Sequence, residues 1–255
     1  QELREGVQMR GARWALDDRD ADLALQRLAA LPHGAARRTL ALRIKLKATR
    51  LARQTQEALD TARLLGKHRA FSADAAQSIV RGLAIELINS AHDPSQLQQT
   101  WQQLEQLERN MPELAIHAAQ RLVNLGGEPA QARAWLVPVW ERMVQLPNAL
   151  PDHHALKLVR ALESGLDTLD AAWLARIESA QLANPRDARL QYLAGVACLK
   201  RQLWGKAQQL LTQAIPHLTD AGLRASAWRH LAALAERRND GEAAAEAWKK
   251  AALAH

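Results

Sequence analysis

At 255 residues the chain exceeds one ordinary compact domain and points to two domains or one extended repeat array. Ala and Leu dominate, while Val, Ile and Thr together number 23 and Tyr and Phe appear once each; strands have little to be built from, and an all-helical chain follows. The formal charge of +7 is unevenly placed, because ten Lys or Arg against only Glu57 and Asp60 give the stretch from Arg37 to Arg69 a charge of +8 and leave the rest near −1. A basic patch on a neutral body disfavours a nucleic-acid partner and points to an acidic contact surface, the alternative being an ordinary solvated helix face.

Breaks at Pro32-His33-Gly34, Asp93-Pro94, Met111-Pro112, Gly126-Gly127, Pro147, Asn184-Pro185 and Asp240-Gly241 cut the chain into helix-length pieces. They predict helices over 2–16, 20–31, 35–53, 55–67, 72–91, 94–109, 112–125, 128–146, 152–164, 168–183, 187–201, 203–217, 221–237 and 240–253. Asp93 and Asn184, each before a Pro, are expected to cap the backbone N–H groups of the helix that follows, with Pro94 and Pro185 in the first turn. Leu40, Leu42, Ile44 and Leu46 alternate as in a strand, but Ala41, Ile44, Ala48 and Leu51 also make a helical stripe, and an isolated strand has nothing to pair with. No run of about eighteen apolar residues exists to cross a bilayer. The single Cys198 excludes an intramolecular disulfide. Starting at Gln1 without Met or a signal segment, the chain reads as a piece of a longer protein, in which any targeting or anchoring segment would lie upstream.

Internal repetition is the decisive signal. Trp228, Leu231, Ala232, Ala235, Ala244, Trp248 and Ala251 follow the tetratricopeptide spacing: a large residue, then Leu and a small residue on a first helix, then small, aromatic and small on a second. Gly195, Ala207, Leu211 and Ala214 repeat it one unit earlier. Ala24 and Leu28, Ala58 and Ala62, and Ala132 and Leu136 mark weaker copies. Small residues let paired helices approach closely, and Trp248 is expected to pack inward on a last helix whose outer side carries Glu242, Glu246, Lys249 and Lys250. The expected architecture is all-α: a single tetratricopeptide-like right-handed superhelix over 1–255 of about seven antiparallel helix pairs, most regular at about 188–221 and 225–255.

The run RDARLQYLAGVACLKRQLWGKAQQLLTQAI, followed by AWRHLAALAERRNDGEAAAEAWKKA, resembles the C-terminal repeats of the HemY proteins of proteobacteria, as do LALRIKLKATRLARQTQEALDTARLL and LGGEPAQARAWLVPVWERM. That resemblance implies a non-catalytic scaffold linked to haem (tetrapyrrole) biosynthesis. It also implies two upstream membrane helices in the bacterial inner membrane and a repeat domain on the cytoplasmic side, to which the basic stretch is suited. No residue pattern argues for an enzyme. Gly126-Gly127-Glu128-Pro129 lacks the Gly-Lys-Ser/Thr of a phosphate loop and reads as a helix stop and start. His153 and His154 are neighbours that face different directions on a helix, and neither a haem-attachment nor a zinc motif is present. Cys198 reads as core, and so do most of the eight tryptophans. No cofactor or metal is expected.

In tetratricopeptide arrays the first helices line a concave groove at their fifth, ninth and twelfth positions. With Ala58 as the small residue of a second helix, those positions fall on Arg43, Lys47 and Arg50, which share one helical face. The same rule selects His117 and Arg121 with Asn124, then Tyr192 beside Val196, then Arg229 with Glu236. A predominantly basic groove predicts a protein partner with an acidic segment. The alternative is direct binding of an acidic small molecule such as a porphyrin intermediate, whose carboxylates suit clustered arginines.

Overall fold

The computed structural model describes residues 2–146 and 148–254, so the break expected at Pro147 lies outside the described residues. Among them every regular element is helical. Contacts divide the chain into one compact unit ending at Gly127 and another beginning at Glu128.

The first unit contains α1 (Glu2–Asp17), α2 (Ala21–Ala29), α3 (His33–Ala36), α4 (Thr39–Leu51), α5 (Thr55–Lys67), α6 (Ala73–Ser90), α7 (Pro94–Gln103), α8 (Gln106–Arg109) and α9 (Pro112–Asn124). The second contains α10 (Pro129–Gln145), α11 (Asp152–Ser164), α12 (Ala171–Ala183), α13 (Ala188–Lys200), α14 (Trp204–Ala214), α15 (Ala221–Arg237) and α16 (Gly241–Leu253), with 3-10 turns at Leu166–Thr168 and Ile215–His217. In the first unit α1 packs on α2, α4 on α5 and α5 on α6; in the second the pairs α13/α14 and α15/α16 are the most extensive, and α11 and α12 both pack on α13.

Helix starts have local causes. The carboxylates of Asp20, Asp93, Asp170, Asp220 and Asp240 each accept the backbone N–H three residues on, at 2.8–3.1 Å, and Ser72 does the same for Ala75 at 3.3 Å. Pro94 occupies the first turn behind Asp93, as expected. Asn184 behaves differently. It closes α12, its amide donating to the Ala180 carbonyl at 3.0 Å, and Asp187 caps α13 instead.

Helix ends repeat one device. Arg19, Arg53, Arg69, Gln202 and Asn239 sit at φ of 52–60°. In each case the next residue's N–H reaches back to a carbonyl five residues earlier, for example Gln54 to Thr49 at 2.9 Å and Asp240 to Ala235 at 3.0 Å. Arg53 follows Arg19 by one tetratricopeptide repeat length, which makes this turn a backbone signature of the repeat. Glycine is the residue that adopts this conformation without strain. Arg53→Gly is therefore expected to raise stability by roughly 0.5–1 kcal/mol, offset in part by unfolded-chain entropy, and a lower urea midpoint than wild type would contradict that.

The expected 35–53 helix is interrupted at Arg37-Arg38. On one straight helix Ala35 and Ile44 would point in opposite directions, nine residues being two and a half turns. The break lets both enter one core with Ala12, Leu28, Leu31 and Ala41. The strand-like alternation resolves in the same way: Leu42, Ile44 and Leu46 are buried because α4 is covered on more than one side, and Leu40 is exposed. The expected 94–109 helix breaks before Glu105, where Glu108 accepts the Glu105 N–H at 3.0 Å and starts a new turn.

The small residues named from the repeat pattern are buried, apart from Ala235, which is half-buried. Ala24, Ala58 and Ala207 are fully covered, and Ala132 and Ala244 nearly so. Trp248 departs from expectation, being 41% exposed with its indole N–H donating to Glu236 Oε1 at 2.8 Å. Ala244, Ala247 and Ala251 are the side chains that α16 buries, so the Trp lies on the flank of that face. Trp14 is also exposed, whereas Trp101, Trp135, Trp140 and Trp173 are core.

Candidate functional site

The periodicity that buries Ala41, Ile44 and Ala48 leaves Arg43, Lys47 and Arg50 exposed on one face of α4. Arg43 is partly committed: its Nη2 donates to the Ala70 carbonyl at 2.6 Å and its guanidinium lies 5.3 Å from the centre of the Phe71 ring. Lys47 and Arg50 form no ion pair with any described residue. The face is a pair of open cations beside one that anchors the connection between α5 and α6.

The basic stretch is weaker in space than in sequence, because acids from outside it neutralise three of its members. Arg38 pairs with Glu5 at 3.5 Å and Lys67 with Glu105 at 3.9 Å. Arg63 grips the buried Glu108 through two bonds of 2.5 and 2.9 Å, and that bond, opposed by burial, raises its pKa. Arg63 is thus a bolt between α5 and α8 and not part of a binding face.

Two other residues from the groove expectation are engaged within the first unit. Arg121 donates to the carbonyls of Ile88, Asn89 and Ala91 at 2.8–3.1 Å, closing the C-terminal end of α6. His117 Nε2 lies 2.6 Å from Asn89 Oδ1, beside the same helix end. Asn124 is exposed.

In the second unit Tyr192 is not a surface residue, since its side chain is fully buried. Its hydroxyl donates to Glu163 Oε1 at 2.6 Å, and His230 Nε2 lies 3.2 Å from the same oxygen. The carboxylate only accepts, so the histidine nitrogen is the donor. Glu163, Tyr192 and His230 come from α11, α13 and α15, so one carboxylate joins three helices. Burial, and then the bond to Glu163, push the tyrosine pKa well up. Burial also pushes Glu163 up, but the bonds from His230 and Tyr192 with the charge of His230 and Arg160 outweigh it, leaving the carboxyl below its ordinary value.

Arg229, expected in the groove, is exposed and donates to Ser226 Oγ at 2.9 Å. The α15 residue that faces α13 is its neighbour His230, a register one residue away from expectation. Nothing local signals this cluster, because Glu163 lies 29 residues from Tyr192 and 67 from His230. The chain's only tyrosine was the one available hint.

A depressed carboxyl has a defined pH consequence. Its contribution is fully present above the unfolded glutamate value near about 4.3 and is lost as pH falls through the folded value. Glu163→Gln should lower the urea midpoint at neutral pH, and the gap from wild type should close below about pH 4. A gap that persists unchanged in acid would show that the charge contributes nothing.

Cys198 is buried, and burial pushes its thiol pKa up, as befits a core side chain. No group of three or more metal-ligating side chains occurs among the described residues. No helix is long and apolar enough to cross a membrane among them.

No protein-family model matches the sequence, and no curated protein matches it. Solved structures with some likeness include MamA from residue 41 to its end, from Desulfovibrio magneticus RS-1. It is 19% identical, with a TM-score of 0.42 over 70% of this chain and 94% of that one. A MamA RS-1 ArsTM double mutant gives 19% identity and a TM-score of 0.41 over 70% of this chain and 93% of its own.

Proposed function

We propose that this chain is a non-catalytic scaffold that binds an acidic segment of a protein partner, with the exposed face of α4 as a principal contact. The observation that carries the reading is the pair Lys47 and Arg50, one helical turn apart, exposed, and without an ion-pair partner among the described residues. Such cations attract a carboxylate-rich segment and speed its approach. The resemblance to HemY proteins supports the finer part of the proposal: a domain tethered to the bacterial inner membrane, on its cytoplasmic side, serving tetrapyrrole biosynthesis.

The test is anisotropy of a labelled peptide rich in Asp and Glu. Lys47→Glu with Arg50→Glu should weaken binding at least about tenfold while the helical circular dichroism stays unchanged, and added salt should weaken wild-type binding in the same direction. Arg43 is left in place because its bond to Ala70 holds a loop. A folded double variant that binds like wild type would remove α4 as the site. A reporter on the full-length protein's C-terminus, active only in the periplasm, would overturn the cytoplasmic placement.

A second reading is kept by one observation. Phe71, half-buried under the Arg43 guanidinium, gives the same face an aromatic edge beside its cations. This combination suits a porphyrin intermediate, whose carboxylates would meet Lys47 and Arg50 while its ring meets Phe71. A porphyrin absorbance shift that Phe71→Ala and the double variant both abolish would favour it over the peptide.

A further inference from the structure

The second unit carries a separate open groove of about 350 Å³ between α13 and α15. Its apolar part is Val196 and Leu234, buried at the base, with the half-buried Leu199 and the exposed Ala233 above them. At one end stand two cations, Lys200 and Arg237, beside the half-buried Trp204.

The cations differ in what already holds them. Arg237 lies 4.8 Å from the centre of the Trp204 ring and makes no ion pair with a described residue. Its neighbour Glu236 accepts from the Trp248 indole instead. A stacked guanidinium keeps its in-plane N–H donors for a carboxylate, and the stack limits the side-chain freedom that binding must remove. Lys200 pairs with Asp167, whose side chain is 75% exposed. An exposed pair of that kind is worth little and exchanges readily for another carboxylate.

We propose that this groove docks an extended segment of a partner protein that presents an apolar side chain next to an acidic one. The apolar side chain would rest on Leu199 and Ala233 and the carboxylate on Arg237 and Lys200. The proposal rests on the partner-binding reading above but not on the α4 face. Its dimensions set the motif: from Val196 to Lys200 is about one helical turn, roughly 6 Å, which about two residues of extended chain span. Because the groove is open, a segment passing through it fits better than a small ligand, which needs most of its surface enclosed.

The probe is a labelled peptide with a single Leu-Asp step in Gly-Ser flanks, compared by anisotropy with its Ser-Asp and Leu-Asn analogues. Each analogue should bind about tenfold more weakly, as should Leu-Asp itself to Arg237→Ala. Ala233→Trp fills the groove from an exposed position and should abolish binding, while circular dichroism verifies that both variants are folded. Lys47→Glu with Arg50→Glu should leave this peptide's affinity unchanged. Failure of wild type to prefer Leu-Asp over its analogues would overturn the proposal, as would equal binding by Ala233→Trp. If only the α4 double variant loses the peptide, the groove proposal fails and the α4 reading stands; if α4 substitutions leave acidic peptides bound while Arg237→Ala does not, the reverse holds.

Discussion

Glu108→Ala is expected to lower the unfolding free energy by roughly 3–5 kcal/mol. Glu108 is 3% exposed, and its carboxylate holds both Arg63 Nε and Nη2 while accepting the Glu105 N–H that starts α8. Removing it strands a guanidinium whose side chain is only 13% exposed. Asp60 at 3.0 Å and Glu105 at 3.9 Å remain, but both side chains are about half in solvent and screened, so they recover only part of the loss. The expense lies in the uncompensated charge and not in the lost pair, so Arg63→Leu combined with Glu108→Leu should restore much of the stability. Chemical denaturation of the single and double variants measures both claims. A loss below about 1 kcal/mol for Glu108→Ala would mean that the pair is hydrated in solution.

Gly195→Leu is expected to cost upwards of about 3 kcal/mol, at the top of the range for overpacking. A Cβ at Gly195 would stand 2.9 Å from Leu211 Cγ, 3.1 Å from its Cδ2 and 3.3 Å from Leu210 Cβ. Leu211 is fully buried between the same two helices and has nowhere to retreat. Gly195→Ala brings the same first contact, and its gain of about 1 kcal/mol of helix propensity offsets only part of that cost, so it should lose stability but less than Gly195→Leu. Gly205→Ala is the control: nothing lies within 4 Å of its Cβ position, and only the propensity gain should appear. If Gly195→Leu melts with wild type, α13 and α14 are not in close contact in solution.

The helices and their close packing were legible in the sequence because their causes are local. Asp before a first turn, Pro at its start and small residues at repeat spacing act over three or four positions of one segment. Ala24, Ala58, Ala132, Ala207 and Ala244 are buried where the repeat spacing put them. The interruptions at Arg37-Arg38 and before Glu105 were not legible, since the first depends on which core Ala35 and Ile44 share and the second on Glu108 meeting Arg63. The same divide runs through the candidate site. Periodicity alone placed Arg43, Lys47 and Arg50 on one face of α4, as i, i+4 and i+7 always share a side.

Only tertiary structure decided which cations remain open. Arg121 is spent on three carbonyls at the end of α6, Tyr192 sinks onto Glu163, and His230 replaces Arg229 as the residue of α15 that faces α13. A helix repeats its own faces every 3.6 residues whatever surrounds it. Which face is covered depends on a neighbour some thirty residues away, and a rotation of one residue, about 100°, exchanges a groove position for a solvent position without altering the local pattern.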